Sequence, residues 1–346
     1  MLIRTEPISA SASGGAAKPL RIMARVHVMP PEHNAGAEHM LVSMLRPLVE
    51  RGHDVSVWLS RSGSAHREYD YRGIKVVPLE SRPDFSLAAR QADVLLAHLE
   101  TVPSTAASAR EHGKPLVVVC HNTQQSTFHD MAAGGTALAV YNSLWMRVEA
   151  ERFFAEYPEA VRPGNTLIVR PPVFVDEYAT KPGEAITLIN CNVWKGGQVL
   201  DALARRMPDQ QFLAVRGAYG EQILPDLPNV EVVEHVRGED MRDKVYARTK
   251  VLLMPSVYES WGRVGCEALA SGIPVVAHPT PGLCESLGEA GIFVDRNDVE
   301  GYEAALRKLG TAAEYRLASK RAKARSAELD PTKDLAAWRD AVEALP

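Results

Sequence analysis

The stretch that decides the fold spans residues 254–277 and reads MPSVYESWGRVGCEALASGIPVVA. An apolar run ends at Pro255, a loop of polar and aromatic residues follows, and a helical pattern begins near Arg263. This pattern stops at Gly272, directly before a second apolar run. Because a strand, a loop, a helix and another strand follow one another, the stretch predicts a βαβ unit with a parallel sheet.

The predicted helix has the features of an anion site. A helix that begins after the carboxyl end of a strand presents free N–H groups and the positive end of its dipole, which suits a diphosphate. Glu259 lies just before this helix and Glu267 on its second turn, so the two carboxylates can address different parts of one ligand. Carboxylates accept hydrogen bonds from hydroxyl groups, in which sugars and riboses are rich. A lone Glu is usually solvent-exposed, but Glu267 has mostly small or apolar neighbours, which indicates a site.

Strands and helices alternate twice along the chain. Predicted strands of the first half are Arg21–Val28, Val55–Leu59, Ile74–Val77, Val94–His98, Leu116–Cys120 and Leu138–Tyr141. Those of the second half are Ile186–Cys191, Phe212–Arg216, Val230–Glu234, Val251–Met254, Pro274–Ala277 and Ile292–Val294. We therefore expect an α/β fold with two Rossmann-like, doubly wound domains that face each other across a cleft.

Breaks in this alternation predict the domain boundaries. Residues 1–18 are rich in Ser, Ala and Gly and read as a mobile tail. Residues 19–172 form the first domain, up to a segment of Pro, Gly and charged residues, and residues 173–330 form the second. A terminal helix over 331–346 has an apolar face, and we expect it to join the first domain.

Composition narrows the class of protein. A length of 346 residues suits two domains, and a net charge of −4 with a pI near 6.3 argues against a general nucleic-acid binder. No apolar run is long enough to predict a transmembrane segment. The four cysteines lie far apart without metal-like spacing, and we expect free thiols and a cytoplasmic protein.

The quoted stretch resembles the signature of family 4 of the retaining GT-B glycosyltransferases, also called glycosyl transferases group 1. There Pro-Ser precedes a Glu, seven residues and a second Glu, as they do before Glu259 and Glu267. The resemblance implies that Glu259 contacts hydroxyls of the transferred sugar and that Glu267 holds the donor ribose. Main-chain groups between them would face the donor diphosphate, and the residues concerned are Ser260, Trp261, Gly262, Arg263 and Val264.

The same resemblance implies further site residues. Gly36 follows the first strand and would let the backbone approach the donor phosphates, although Ala35 stands where the family has a second glycine. Lys195 would contact the donor phosphates, and Val236 would lie near the donor base. His121, at the end of the strand Leu116–Cys120, would lie near the sugar, and alone it is more often structural.

One departure concerns the phosphate clamp. The family has an Arg a few residues before the Lys, whereas this chain reads Asn190-Cys191-Asn192 at that place. Our hypothesis is that Arg263 substitutes for the missing cation.

The resemblance also implies a mechanism. The sugar would move from a UDP- or GDP-sugar to an acceptor hydroxyl with retention of configuration, and the departing phosphate would take the acceptor proton. We expect no cofactor and no metal ion, and the acceptor remains open between a small molecule, a glycan and a lipid. Two alternatives remain: a non-catalytic nucleotide-sugar-binding partner subunit, and a sugar-nucleotide 2-epimerase of the same fold.

Overall fold

The computed structural model describes residues 18–31, 35–60, 67–78 and 84–346. The predicted tail, residues 1–18, lies outside the described residues apart from Lys18. Within the described residues the strands form one eight-stranded and one six-stranded sheet, each covered by helices on both faces. We call the two units the first and the second domain.

The first domain is built on strands that follow its apolar runs. Its strands are β1 (Arg21–Val26), β2 (Asp54–Leu59), β3 (Tyr69–Tyr71), β4 (Ile74–Pro78), β5 (Val94–His98), β6 (Leu116–Cys120), β7 (Leu138–Tyr141) and β8 (Asn165–Ile168). Its helices are α1 (Gly36–Glu50), α2 (Phe85–Gln91), α3 (Val102–His112), α4 (Gln125–Gly134) and α5 (Leu144–Phe154). The sheet order is β3-β4-β2-β1-β5-β6-β7-β8, and its strand pairs are parallel except for the β3–β4 hairpin.

The second domain repeats this plan. Its strands are β9 (Ala185–Ile189), β10 (Phe212–Val215), β11 (Val230–Val233), β12 (Thr249–Met254), β13 (Val275–Ala277) and β14 (Gly291–Phe293). The helices from the linker onward are α6 (Val175–Tyr178), α7 (Gly197–Arg206), α8 (Met241–Lys244), α9 (Arg263–Ala270), α10 (Pro281–Leu287), α11 (Val299–Leu309), α12 (Ala312–Glu328) and α13 (Thr332–Glu343). The sheet order is β11-β10-β9-β12-β13-β14, with parallel pairs throughout.

The central strands are buried on both faces. Every residue of β5, β6 and β7 is buried, as expected for parallel strands with helices on either side. Such strands read as continuous apolar runs, and this is why the sequence predicts them to within a residue or two. The short hairpin strand β3 and the half-exposed β8 have no such run, and both were missed.

The last helix, α13, returns to the first domain. Trp338 is fully buried in the apolar cluster of α1, β1 and β2, and its Nε1 donates to the Met44 carbonyl at 2.8 Å. The Arg170 guanidinium binds the Asp334 carboxylate, with Nε and Oδ2 2.7 Å apart. None of the helices in the described part of the chain is long and apolar enough to cross a membrane.

Candidate functional site

The signature helix α9 begins where the sequence predicts it. β12 ends at Met254, a loop follows, and Gly262 precedes the helix with a φ of +83°, in the left-handed region that favours glycine. A Cβ at Gly262 would also overlap the Leu283 side chain, so this position has no room for another residue. The first turn of α9 therefore opens at the carboxyl end of β12.

The Lys195 loop lies beside it, because β9 and β12 are neighbouring strands. The Asn192 side chain and carbonyl organise this loop: its Oδ1 accepts from the Lys195 N–H at 2.9 Å, and its carbonyl accepts from the Gly196 N–H at 3.0 Å. Gly196 has a φ of +96° and packs directly against Pro255 of the signature loop. The two loops are thereby locked to each other.

Lys195 and Glu259 meet at this junction. The Lys195 ammonium forms an ion pair with the Glu259 carboxylate, which also accepts from the Ser256 hydroxyl at 2.9 Å. Burial opposes the charge on Lys195, but the carboxylate of Glu259 outweighs it and raises the pKa of Lys195 above its usual value. The site thus holds a fixed positive charge next to the N-terminus of α9.

A second buried network surrounds Glu267. Its Oε1 lies 3.0 Å from Nε of Arg263, and its Oε2 accepts from the Tyr246 hydroxyl at 2.6 Å. The Arg263 guanidinium also donates to the Tyr178 hydroxyl at 2.9 Å. Burial raises the pKa of Glu267, while Arg263 and the tyrosine hydroxyls oppose that rise. Arg263 is therefore the ion-pair partner of Glu267, and its substitution for the missing clamp cation stays a prediction.

The other predicted residues of the second domain either have side chains buried in the core or form hydrogen bonds within the protein. The Trp261 and Val236 side chains are buried in the apolar core, so only their backbone is free to take part in a site. The Ser260 hydroxyl accepts from the Asn142 amide of the first domain at 2.8 Å. The Val264 carbonyl accepts from the Tyr246 hydroxyl at 3.4 Å.

The first-domain residues lie across from these loops. Gly36 is exposed at the first position of α1, and a Cβ placed there would meet no atom within 4 Å. One turn later, His39 packs against Gly238 of the second domain. Its pKa falls to about 3, through burial and the nearby Arg263 charge. His121 follows β6, and its Nε2 lies 3.0 Å from Nδ1 of His98.

Hydrogen bonds at three places join strand-end loops of the two sheets. The Tyr258 hydroxyl accepts from the Thr123 N–H at 2.9 Å, two residues after His121. The bond from Asn142 to Ser260 is the second. In the third, the Glu285 carboxylate accepts from the first two N–H groups of α5, at 2.7 and 2.8 Å. The carboxyl ends of the two sheets consequently face each other.

Several residues of this site were missed in the sequence. Tyr178 and Tyr246 read as ordinary core aromatics, and nothing local links them to Glu267. Arg296 donates to the Pro255 carbonyl at 3.2 Å and to the Val193 carbonyl at 3.1 Å, and so bridges the signature loop and the Lys195 loop. His98 is the last residue of one predicted strand, and His121 directly follows another. This shared position at a strand end was the feature of the sequence that could have identified His98. Among the described residues, no group of three or more His, Cys, Asp or Glu is placed to hold a metal ion.

Comparison with known families matches the second domain. Residues 198–311 match the family model described as "Glycosyl transferases group 1". This segment includes Glu259 and Glu267, the two acids from which the resemblance was argued. The second domain therefore carries a glycosyl transferases group 1 domain.

Curated relatives match over short stretches. O-antigen chain mannosyltransferase B of Escherichia coli is 35% identical over 75 residues, which cover 22% of this chain and 19% of that protein. D-inositol 3-phosphate glycosyltransferase of Corynebacterium kroppenstedtii is 34% identical over 143 residues, 36% of this chain and 32% of that protein. The matches thus span between a fifth and a third of the relatives' length.

Solved structures match over nearly the whole chain. Sucrose-phosphate synthase from Thermosynechococcus elongatus has a TM-score of 0.76 and 16% identity, and the match covers 93% of this chain and 98% of that one. HepE from Anabaena, solved in complex with UDP and glucose, has a TM-score of 0.73 and 15% identity, with 94% and 100% covered. These likenesses show the fold, which is GT-B, and confirm the predicted α/β fold class.

Proposed function

We propose that this protein is a retaining glycosyltransferase of family 4 that uses a nucleotide-diphosphate sugar as its donor. The observation that carries the proposal is the junction of Lys195 and Glu259 before α9, where the adjacent Tyr258 contacts Thr123 of the other domain. A fixed cation and free helix N–H groups suit a diphosphate, and a carboxylate beside them suits sugar hydroxyls.

Glu267 is proposed to hold the donor ribose. Its two oxygens already accept from Tyr246 and face Arg263, but a carboxylate offers roughly four lone-pair sites, so it can accept from ribose hydroxyls as well. Its existing partners hold it in one orientation before the donor arrives. Val236 and the backbone near it would lie toward the base, where UDP and GDP both remain candidates.

The proposed reaction breaks the bond between sugar C1 and the phosphate oxygen and forms a bond from C1 to the acceptor oxygen on the same face. The departing phosphate oxygen takes the acceptor's proton. Lys195, the α9 N-terminus and the N–H groups near Gly36 would stabilise the charge that develops on the diphosphate. Glu259 would hold the sugar ring, which keeps C1 within reach of the acceptor on that face. No cofactor or metal enters this proposal.

The first test is calorimetric titration of UDP and of GDP into the wild type and the Glu267→Gln variant. Because a charge-assisted hydrogen bond contributes about 1.5–3 kcal/mol, we expect micromolar binding of one nucleotide and a loss of roughly 10–100-fold in the variant. Glu303→Gln is the matched control, since Glu303 is also ion-paired on the second domain, with Arg206 and Arg307. It should bind as the wild type does.

Two further outcomes decide between functions. If neither nucleotide binds to folded wild type, the donor-site assignment is wrong. If one binds, sugar nucleotides of that base are incubated with the enzyme and followed by proton NMR. Release of the nucleoside diphosphate supports a transferase, and a 2-epimer of the donor identifies an epimerase. A donor that stays unchanged in the presence of small-molecule, glycan and lipid acceptors identifies a binding subunit.

A further inference from the structure

A group of polar side chains lies at the strand ends of the first domain, apart from the charged junction of the second. We call His27, His98, His121 and Glu38 the histidine cluster. His98 ends β5 and is fully buried, and its ring meets the edge of the His121 ring with centroids 5.0 Å apart. The Nε2 atom of His27 lies 3.1 Å from Oε1 of Glu38, which is also buried.

The bond between the two rings admits one proton. Nδ1 of His98 and Nε2 of His121 are 3.0 Å apart, so one nitrogen carries the hydrogen and the other accepts it. Burial lowers the pKa of His98 well below its usual value and that of His121 to about 4. Both rings are therefore neutral at pH 7, and each has a single N–H.

The surroundings of His98 decide which nitrogen donates. Its other nitrogen, Nε2, is buried and has no hydrogen-bond partner among the residues that the structure describes. If His121 donated, His98 would carry its own proton on Nε2, as a buried N–H without an acceptor. Backbone N–H groups without an acceptor are rarer in proteins than carbonyls that lack a donor, and the same preference disfavours a buried ring N–H at this place. The favoured arrangement has His98 donating from Nδ1.

We propose that His98 is a positioning residue that holds His121 as the Nδ1–H tautomer. With its Nε2 accepting from His98, His121 keeps its proton on Nδ1. The His121 residue is only partly buried, unlike the fully buried His98, so this N–H is not sealed in the interior as Nε2 of His98 is. His121 then offers a hydrogen-bond donor to a ligand oxygen between the two domains. On the proposed function, that oxygen belongs to a hydroxyl of the transferred sugar, and Nδ1 is unable to act as a base because it already carries its proton.

The backbone that follows His98 fits this role, since a tight turn and a hydrogen bond hold it in place. Leu99 has a φ of +49°, which is uncommon for a residue with a side chain and turns the chain sharply after β5. The Thr101 hydroxyl donates to the His98 carbonyl at 2.7 Å and stabilises this turn. The ring of His98 is thereby fixed at the end of its strand.

The tautomer is measured directly by two-bond ¹⁵N–¹H correlation spectra of histidine-labelled protein at pH 7. The wild type suffices for the decisive result, with the His121 signals assigned by their loss in His121→Gln. We expect a proton-bearing Nδ1 and a bare Nε2 on His121. A proton on Nε2 of His121 would overturn the proposal, and so would an even mixture of the two tautomers.

Two variants at His98 separate positioning from packing. His98→Phe keeps an aromatic ring without a donor, whereas His98→Asn keeps an amide N–H near the place of Nδ1. His121 should leave the Nδ1–H form in the first variant and keep it in the second. His112→Asn is the control, because His112 lies at the end of α3, away from the cluster. Unchanged His121 signals in folded His98→Phe would contradict the role of His98.

Enzyme activity gives a second measurement, separate from the NMR spectra. A neutral hydrogen bond contributes about 0.5–1.5 kcal/mol, so His98→Phe should lower kcat/KM for the donor by roughly 3–10-fold, with recovery in His98→Asn. If the protein proves to transfer no sugar, the NMR spectra still decide whether His98 holds His121 as the Nδ1–H tautomer. If it transfers sugar and His98→Phe is as active as the wild type, His121 does not donate to the sugar.

Discussion

The two domains share one sheet topology but carry different groups at their strand ends. In the first domain, His98 and His121 follow neighbouring strands as neutral, mutually bonded rings. In the second, Lys195 and Glu259 follow neighbouring strands as an ion pair. Fold alone therefore does not decide the chemistry of these sites.

The difference matches the two ends of the proposed donor. A diphosphate carries full charges, which a fixed cation and helix N–H groups stabilise. A sugar carries neutral hydroxyls, for which a neutral donor is sufficient and adds no charge beside C1. The comparison teaches that burial opposes a positive charge in both domains but that the outcome differs: it keeps the histidines uncharged, whereas at Lys195 the neighbouring Glu259 carboxylate overcomes it.

The largest effect is expected at Lys195. In Lys195→Ala the diphosphate loses its fixed cation, and kcat should fall by about 10²–10³, as on removal of one preorganised donor elsewhere. Initial rates of nucleotide release measure this. Lys244→Ala is the matched control, because Lys244 pairs with Asp240 on the surface of the same domain. A fall of less than threefold in Lys195→Ala would break the contrast between the domains.

Acid should affect the first domain next. His121 has a pKa of about 4 when folded and 6.5 as its ordinary value, so the unfolded chain binds more protons between those values. The free energy of unfolding therefore falls as pH drops through this window, by up to about 2 kcal/mol at pH 5 for this one group. Glu38, His27 and His98 surround it, and Glu38 opposes the shift.

Urea unfolding at pH 7 and pH 5 measures this loss. His121→Gln has no such proton to gain, and so it should lose less stability than the wild type between the two pH values. An equal loss in both proteins would show that His121 is not held neutral. The contrast between neutral and charged strand ends would then need another basis.

The smallest effect is expected at Gly36. A Cβ there meets no protein atom within 4 Å, so Gly36→Ala should leave the free energy of unfolding within about 0.5 kcal/mol of the wild type. If donor phosphates approach this backbone, the added methyl should weaken nucleotide binding by roughly 3–10-fold. Thermal unfolding and calorimetry give the two numbers. Unchanged affinity would remove Gly36 from the site.

The sequence predicts much of the frame and part of the site. Helix α9 spans Arg263–Ala270, as the pattern between Arg263 and Gly272 predicts, because clear apolar periodicity and flanking turn residues mark it. The loop of Glu259 and the loop of Lys195 were both identified, since residue type and place after a strand are local features. That the two side chains touch was not, because they are 64 residues apart.

By itself, then, the sequence determined most of the strands and helices and the turns that end them, since apolar runs, helical periodicity and glycines act over a few residues. The Arg263–Glu267 pair is local as well, because the two residues are one helical turn apart. Only the tertiary structure decided the distant partners. It joined Glu267 to Tyr246, 21 residues away, and His98 to His121, and it placed Trp338 against Met44 across 294 residues. Such pairings depend on how sheets and helices pack, and no local pattern carries that information.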